Sequence, residues 1–315
     1  MKTAFLFPGQ GSQAVGMCRE LYDEYEEVRE LFRKADLVLE QPMTDLIFNG
    51  PAEKLNLTCN TQPAILLASV ACSVVLAKHG ITCDVAAGHS LGEYCALVQA
   101  GVMTMGMAIQ AVRKRGQFMQ EAVPVGKGAM AAVLNMASEK VVAICEKVAK
   151  ECGQVVQAVN FNCPGQVVIA GATAAVDKAL AALKAAGARR ALRLPVSAPF
   201  HSAMMRPAAE RLAVVLDQFS FKNAVFPVYA NVTARPVQDA QEIKELLVEQ
   251  AASPVRWEES IRNMIADGAD TFIEVGPGKV LSGCLRKIDK TVNSLNVQDL
   301  ESLKETIAFF EGGQN

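Results

Sequence analysis

The pattern Gly88-His89-Ser90-Leu91-Gly92 constrains this chain more than any other stretch. An apolar run, Asp84-Val85-Ala86-Ala87, leads into it, and a helix-like run, Glu93-Tyr94-Cys95-Ala96-Leu97-Val98, leads out. Strand, sharp turn and helix around G-x-S-x-G form a nucleophile elbow, a turn that stands a serine oxygen clear of a sheet. Glycines on either side remove the bulk that would clash in so tight a turn. The helix N-terminus that follows favours negative charge, and the Leu91 N–H is placed to donate to an oxyanion. The bare pattern also fits a glycine-punctuated turn with an ordinary serine. The strand before it and the helix after it favour Ser90 as a nucleophile.

Such a serine needs a base, and the chain has only three histidines, His79, His89 and His201. His79 ends a helical pattern, where a cap or surface role suits it. His89 adjoins the serine, and neighbours of an elbow serine point away from its oxygen. His201 remains, in Ser197-Ala198-Pro199-Phe200-His201-Ser202, and its lead over His79 rests on that proline-defined loop. A further candidate lies on the helix predicted over residues 107–122. There Ala108, Ala111, Val112, Arg115, Phe118 and Met119 share a stripe at three- and four-residue spacing, so Arg115 sits on the apolar face. A buried guanidinium needs a carboxylate, a phosphate or a carbonyl cluster. An arginine that snorkels to the rim or pairs with a structural acid fits the pattern equally well.

With 31 Lys+Arg against 33 Asp+Glu, the net charge of -2 suggests neither a nucleic-acid nor an anionic-membrane partner. No apolar run approaches the roughly 20 residues of a membrane span. The N-terminal Met1-Lys2-Thr3-Ala4-Phe5-Leu6-Phe7 breaks at Pro8, too short for a signal peptide, and reads as a first strand. The nine cysteines include no C-x-x-C pair, and most sit in apolar patterns, as buried hydrophobes of a reducing, cytoplasmic compartment. Neither a disulfide framework nor a metal site is expected.

Along the chain, helices are predicted over residues 17–39, from Asn60-Thr61-Gln62-Pro63 through Leu76, from Val255-Arg256-Trp257 through Ala266, and over 138–152, 174–186, 243–252, 281–288 and 300–310. Strands are predicted over 129–134, 155–161, 166–170, 191–196, 226–232 and 271–275. The order β-α-β-β-α-β over residues 127–196 is that of a ferredoxin-like module. It interrupts a larger α/β domain formed by residues 1–126 and 197–315. No long exposed apolar stripe demands a dimer, so a monomer is expected. The loop Pro8-Gly9-Gln10-Gly11-Ser12-Gln13 is neither a dinucleotide fingerprint nor a P-loop, and alone reads as a plain turn.

From Gly88 to Glu93 the sequence resembles the malonyl-CoA:acyl carrier protein transacylases. Phe7-Pro8-Gly9-Gln10-Gly11-Ser12-Gln13, Thr61-Gln62-Pro63-Ala64, Arg115-Gly116-Gln117-Phe118-Met119, Gly128-Ala129-Met130-Ala131 and Val159-Asn160-Phe161-Asn162 are similar to that family. So are Pro254-Val255-Arg256-Trp257 and Glu274-Val275-Gly276-Pro277-Gly278, in order, from about residue 3 to 290. The resemblance implies an α/β-hydrolase-like large domain with a mostly parallel sheet plus the inserted small domain. It implies malonyl-CoA and acyl carrier protein as partners, and no cofactor. Ser90 would carry the malonyl ester, His201 would be its base, and the N–H groups of Gln10 and Leu91 would form the oxyanion hole. Arg115 would grip the substrate's free carboxylate, and the Gln250 carbonyl would orient His201. Asn231 and Asn160 would be cleft residues, and Phe200 resembles the residue of malonyl-selective relatives. A serine hydrolase is the rival reading, with Glu274 or Asp270 as the acid behind His201. A non-catalytic module that docks carrier proteins is another. Lys114, Arg189, Arg190 and Lys279 are candidate basic contacts for a carrier protein.

Overall fold

The computed structural model describes residues 1–196 and 198–312. A six-stranded sheet runs in the order Asn293–Val297, Thr271–Val275, Thr3–Phe7, Val85–Gly88, Val228–Tyr229 and Pro236–Val237. The first five strands are parallel and the last is antiparallel. Parallel strands covered on both faces read as unbroken apolar runs, and Thr3–Phe7 is buried at every residue. Alternate side chains serve opposite faces. Phe5 and Phe7 join the core built on the helix Thr58–Lys78, while Ala4 and Leu6 pack with Trp257, Phe272 and Leu285.

That 21-residue helix is apolar all round because it is wrapped on all sides. By length and composition it could cross a membrane, contrary to the sequence expectation, yet 89% of its most apolar window is buried in the protein. It also starts earlier than predicted, at Thr58, so Pro63 falls in the second turn. Proline has no N–H for the carbonyl four residues back. The Cys59 carbonyl instead accepts from Arg113 Nη1 at 2.7 Å.

The predicted helix over 17–39 is two helices, Arg19–Glu24 and Glu26–Leu39, broken where Tyr25 turns extended at φ -111° and ψ 121°. Met43–Asn49 and Ala52–Leu55 are helices without a periodic signal long enough to be read. The strand Asn293–Val297 carries no apolar run that marks it in the sequence; its polar alternation fits a half-covered edge.

A second, antiparallel sheet runs Val156–Cys163, Gln166–Ala172, Gly128–Leu134, Arg190–Arg193. With the helices Ser138–Cys152 and Thr173–Ala185 it completes the βαββαβ arrangement, around its own core of Val133, Val141, Ile169 and Leu183. Ser138 opens its helix rather than capping it; Ala137 is the cap. Two strands stop short of their predicted ends, both toward the serine. The last strand of this sheet ends at Arg193, and Leu194 and Val196 turn into a cavity. Val228–Tyr229 is only two residues long, freeing Asn231 to bend behind the elbow. All nine cysteines are free thiols.

Candidate active site

The elbow is built by close approach. Ser90 sits between the strand Val85–Gly88 and the helix Gly92–Gln99 with φ 54°, a left-handed conformation costly for a residue with a side chain. A Cβ on Gly88 would lie 1.8 Å from the Gly92 carbonyl carbon, and one on Gly92 would lie 2.2 Å from the Phe7 oxygen. Only glycine lets the turn close and the helix seat against the central strand. Behind it, Asn231 Oδ1 accepts the Ser90 N–H at 2.7 Å, and Asn231 Nδ2 donates to the Gly88 carbonyl at 2.7 Å. Asn231 is therefore fully enclosed under the elbow, not in the wall of the cleft.

His201 comes from the loop before the short turn Ala203–Met205 and the helix Arg206–Leu216. It too is left-handed, at φ 62°. The Ser202 hydroxyl donates to the Pro199 carbonyl at 2.7 Å, and the Ala203 N–H donates to Gln157 Oε1 at 2.8 Å. Its Nδ1 lies 2.9 Å from the Gln250 carbonyl, which can only accept, so Nδ1 carries the proton and Nε2 is left to accept. Ser90 Oγ meets that Nε2 at 2.7 Å. Burial and the nearby Arg115 push the imidazole down to about 3, keeping it a neutral acceptor.

Arg115 lies on the helix Met105–Glu121 and is almost wholly enclosed. That helix crosses Thr58–Lys78 closely; a Cβ on Gly116 would come within 2.7 Å of the Thr58 oxygen. Arg115 Nη1 donates to Gln62 Oε1 at 2.8 Å, and Nη2 donates to Ser90 Oγ and to Gln250 Oε1, each at 3.0 Å. Its Nε has no partner among the described residues, and none of its hydrogen bonds reaches a carboxylate. A buried cation hydrogen-bonded only to neutral groups, with a donor to spare and the Glu93 carboxyl nearby but not bonded to it, is ready for an anionic ligand.

A cavity of about 120 Å³ opens over these groups, walled by Gln10, Met119, Asn160, Phe200 and the two catalytic-type side chains Ser90 and His201. It continues into a channel of about 280 Å³ that shares Gln10, His89, Asn160 and Leu194. The buried Asn160 Oδ1 has no partner among the described residues. Leu91 is the N-cap of the elbow helix Gly92–Gln99, at the positive end of its dipole. His89 lines the channel wall; its Nε2 lies 2.9 Å from Asn162 Oδ1 and its ring packs on Trp257. His79 lies elsewhere, exposed at a helix end beside the Tyr25 hydroxyl.

The acids proposed for a hydrolase do not approach His201. Glu274 accepts the N–H groups of Leu281 and Ser282, capping the helix Val280–Ile288. Asp270 is at the surface against the Lys2 N–H. Three participants were not foreseen: Glu93, Gln62 and the side chain of Gln250. Gln62 and Glu93 stand inside quoted motifs, but no spacing rule aims them at the serine.

The profile of the acyl transferase domain family matches residues 4–306. The chain belongs to that family. Among its relatives, this acyl transferase is 51% identical to the malonyl CoA-acyl carrier protein transacylase of Bacillus subtilis over 306 residues, 97% of this chain and 96% of the relative. An acyl carrier protein S-malonyltransferase from Vibrio cholerae superposes with a TM-score of 0.95 at 48% identity, covering 97% of this acyl transferase and all of that chain. A malonyl-transacylase solved in complex with its type II polyketide acyl-carrier protein superposes with a TM-score of 0.95 at 45% identity, over 98% of this chain and 99% of that one.

Proposed function

We propose that this chain transfers a malonyl group from malonyl-CoA to the phosphopantetheine thiol of an acyl carrier protein, in ping-pong fashion through a malonyl ester on Ser90. One observation carries the reading: Ser90 Oγ touches both the neutral His201 Nε2, at 2.7 Å, and the guanidinium of Arg115, at 3.0 Å. A nucleophile with its base lies within reach of a buried cation that needs an anion. That pairing suits an acyl group with a second, free carboxylate. The names and coverage of the relatives support the same substrate and acceptor.

In this reading Ser90 Oγ attacks the thioester carbonyl and passes its proton to His201 Nε2. The oxyanion is stabilised by the N–H groups of Gln10 and Leu91. The C–S bond breaks, and the His201 proton leaves on the coenzyme A thiol. The carrier's thiol enters by the same channel, gives its proton to His201 and attacks the ester carbonyl; the ester C–O bond breaks, and His201 Nε2 returns the proton to Ser90 Oγ. Arg115 exchanges its hold on Ser90 Oγ for the malonyl carboxylate. Asn160 Oδ1 accepts from an N–H of the incoming pantetheine arm, and Phe200 limits the room beside the acyl group. A carbonyl, not a carboxylate, backs His201, which argues against the hydrolase reading. Residues 127–196 act as an inserted unit that closes one side of the cleft, in a cytoplasmic monomer.

Intact mass after incubation with malonyl-CoA tests this. The expected adduct is absent in Ser90→Ala, persists in water, and moves to a phosphopantetheinylated carrier protein. An adduct that decays before the carrier is added would overturn transfer in favour of hydrolysis. Carrier binding without any adduct would leave the docking module.

A further inference from the structure

We infer that Glu93 is a positioning residue for Arg115, acting through the side-chain amide of Gln250. The inference rests on the transacylase reading and adds to it the device that aims the carboxylate-binding cation.

The two ends of a glutamine amide are alike in shape, and only hydrogen bonding decides which way it faces. Gln250 Nε2 donates to the Ser90 carbonyl and to Glu93 Oε2, each at 2.9 Å, and lies 3.3 Å from Asn231 Oδ1. Three oxygens thus surround the nitrogen end. The oxygen end is left to accept from Arg115 Nη2 at 3.0 Å. A reversed amide would press its oxygen against all three and turn its N–H groups toward a cation. Glu93 is itself buried, and the same Oε2 accepts the Asn231 N–H at 2.9 Å. Only two residues separate it from Ser90, so one helix start carries both the nucleophile and the brace of the cation beside it.

Burial raises the Glu93 carboxyl to about 7. The brace needs an acceptor oxygen rather than a charge, so a glutamine at this position should serve. A purely structural Glu93, supporting the elbow through Asn231, would affect every reaction of Ser90 alike.

The test compares two reagents on Ser90, each followed by intact mass. Malonyl-CoA uses Arg115; phenylmethanesulfonyl fluoride is uncharged and needs only the serine and its base. Glu93→Ala should slow malonyl loading about 10–100-fold, the worth of a hydrogen bond to a charged group, and sulfonylation by less than about 3-fold. Glu93→Gln should restore malonyl loading to within about 3-fold of the wild type, and Glu93→Ala should add less than about 3-fold to the loss in Gln250→Ala. Equal slowing of both reagents, or losses that multiply in the double variant, would overturn the inference. If Glu93→Ala does not fold, Glu93→Asp, one methylene short of Gln250, takes its place under the same criteria. A wild-type enzyme that accepts the sulfonyl fluoride but not malonyl-CoA would overturn the transacylase reading, and this inference with it.

Discussion

Two corners of the chain meet at the candidate active site, and both hold their key residue in the left-handed region, Ser90 at φ 54° and His201 at φ 62°. They are held in different ways. The Ser90 corner is enforced locally, by Gly88 and Gly92 packed where no Cβ fits. The His201 corner has no glycine beside it. Apart from its own Ser202–Pro199 turn, it is fixed from distant elements, by the Gln250 carbonyl and by Gln157. A strained conformation persists only where surroundings over-determine it, and here one set of surroundings is written in five residues while the other is assembled by the fold.

Gly92→Ala breaks the local corner and should have the largest effect of any change considered. Its Cβ would stand 2.2 Å from the Phe7 oxygen, in backbone that cannot yield without displacing the central strand. The expected outcome is loss of the cooperative melt along with all acyl loading. A variant that melts normally and loads malonate would show that the elbow is not locally enforced.

The same contrast explains what was legible in the sequence. The strands Thr3–Phe7 and Thr271–Val275 were readable to the residue and the elbow to within one residue at each flank, because glycine spacing and apolar runs are local signals. The βαββαβ order was readable for the same reason. His201 emerged from the residues only by elimination, and the roles of Gln250 and Gln10 entered only through family resemblance, since no pattern in the chain aims a backbone carbonyl at an imidazole. Arg113 and Arg115 make the limit plain. Two residues apart on one helix, one takes the carbonyl left open by Pro63 and the other reaches Ser90. Periodicity marked Arg115 as facing the core, but which neutral groups would meet it there depended on three separate elements.

Arg115 touches both sides of the comparison, through Ser90 Oγ and the Gln250 side chain. Arg115→Lys should therefore sharpen it. A lysine keeps the charge but loses the planar fork, leaving Gln62, Gln250 or the bound carboxylate without a donor. The expected loss on malonyl-CoA is about 2–5 kcal/mol, as for breaking a buried charge pair. Acetyl-CoA, lacking the second carboxylate, should be far less affected. Steady-state kcat/KM with both thioesters measures this; equal losses would return Arg115 to a structural role.

The smallest expected effect is that of pH on malonyl loading, and it concerns the His201 corner alone. An imidazole at its ordinary value of about 6.5 would be almost wholly neutral at pH 8 and about 3% neutral at pH 5, a roughly 30-fold loss of active base. Burial and Arg115 hold His201 at about 3, so loading should change by less than about 3-fold over that range. A limb near 6.5 that survives in Glu93→Gln would show that the corner opens to solvent. The depressed value also has a consequence for stability. Above about 6.5 both folded and unfolded His201 are neutral; below it only the unfolded chain takes the proton, so stability falls by about 1.4 kcal/mol per pH unit toward pH 3. Glu93 acts in the opposite sense. Raised to about 7, it binds a proton in the folded chain while the unfolded carboxyl, at 4.5, is still ionised, so stability rises as pH falls through that window. Between about 6.5 and 4.5 the two slopes oppose each other. Glu93→Gln removes one of them, and its melting temperature should fall more steeply with acid than that of the wild type, exposing the linkage of the histidine corner that the elbow's carboxyl otherwise offsets.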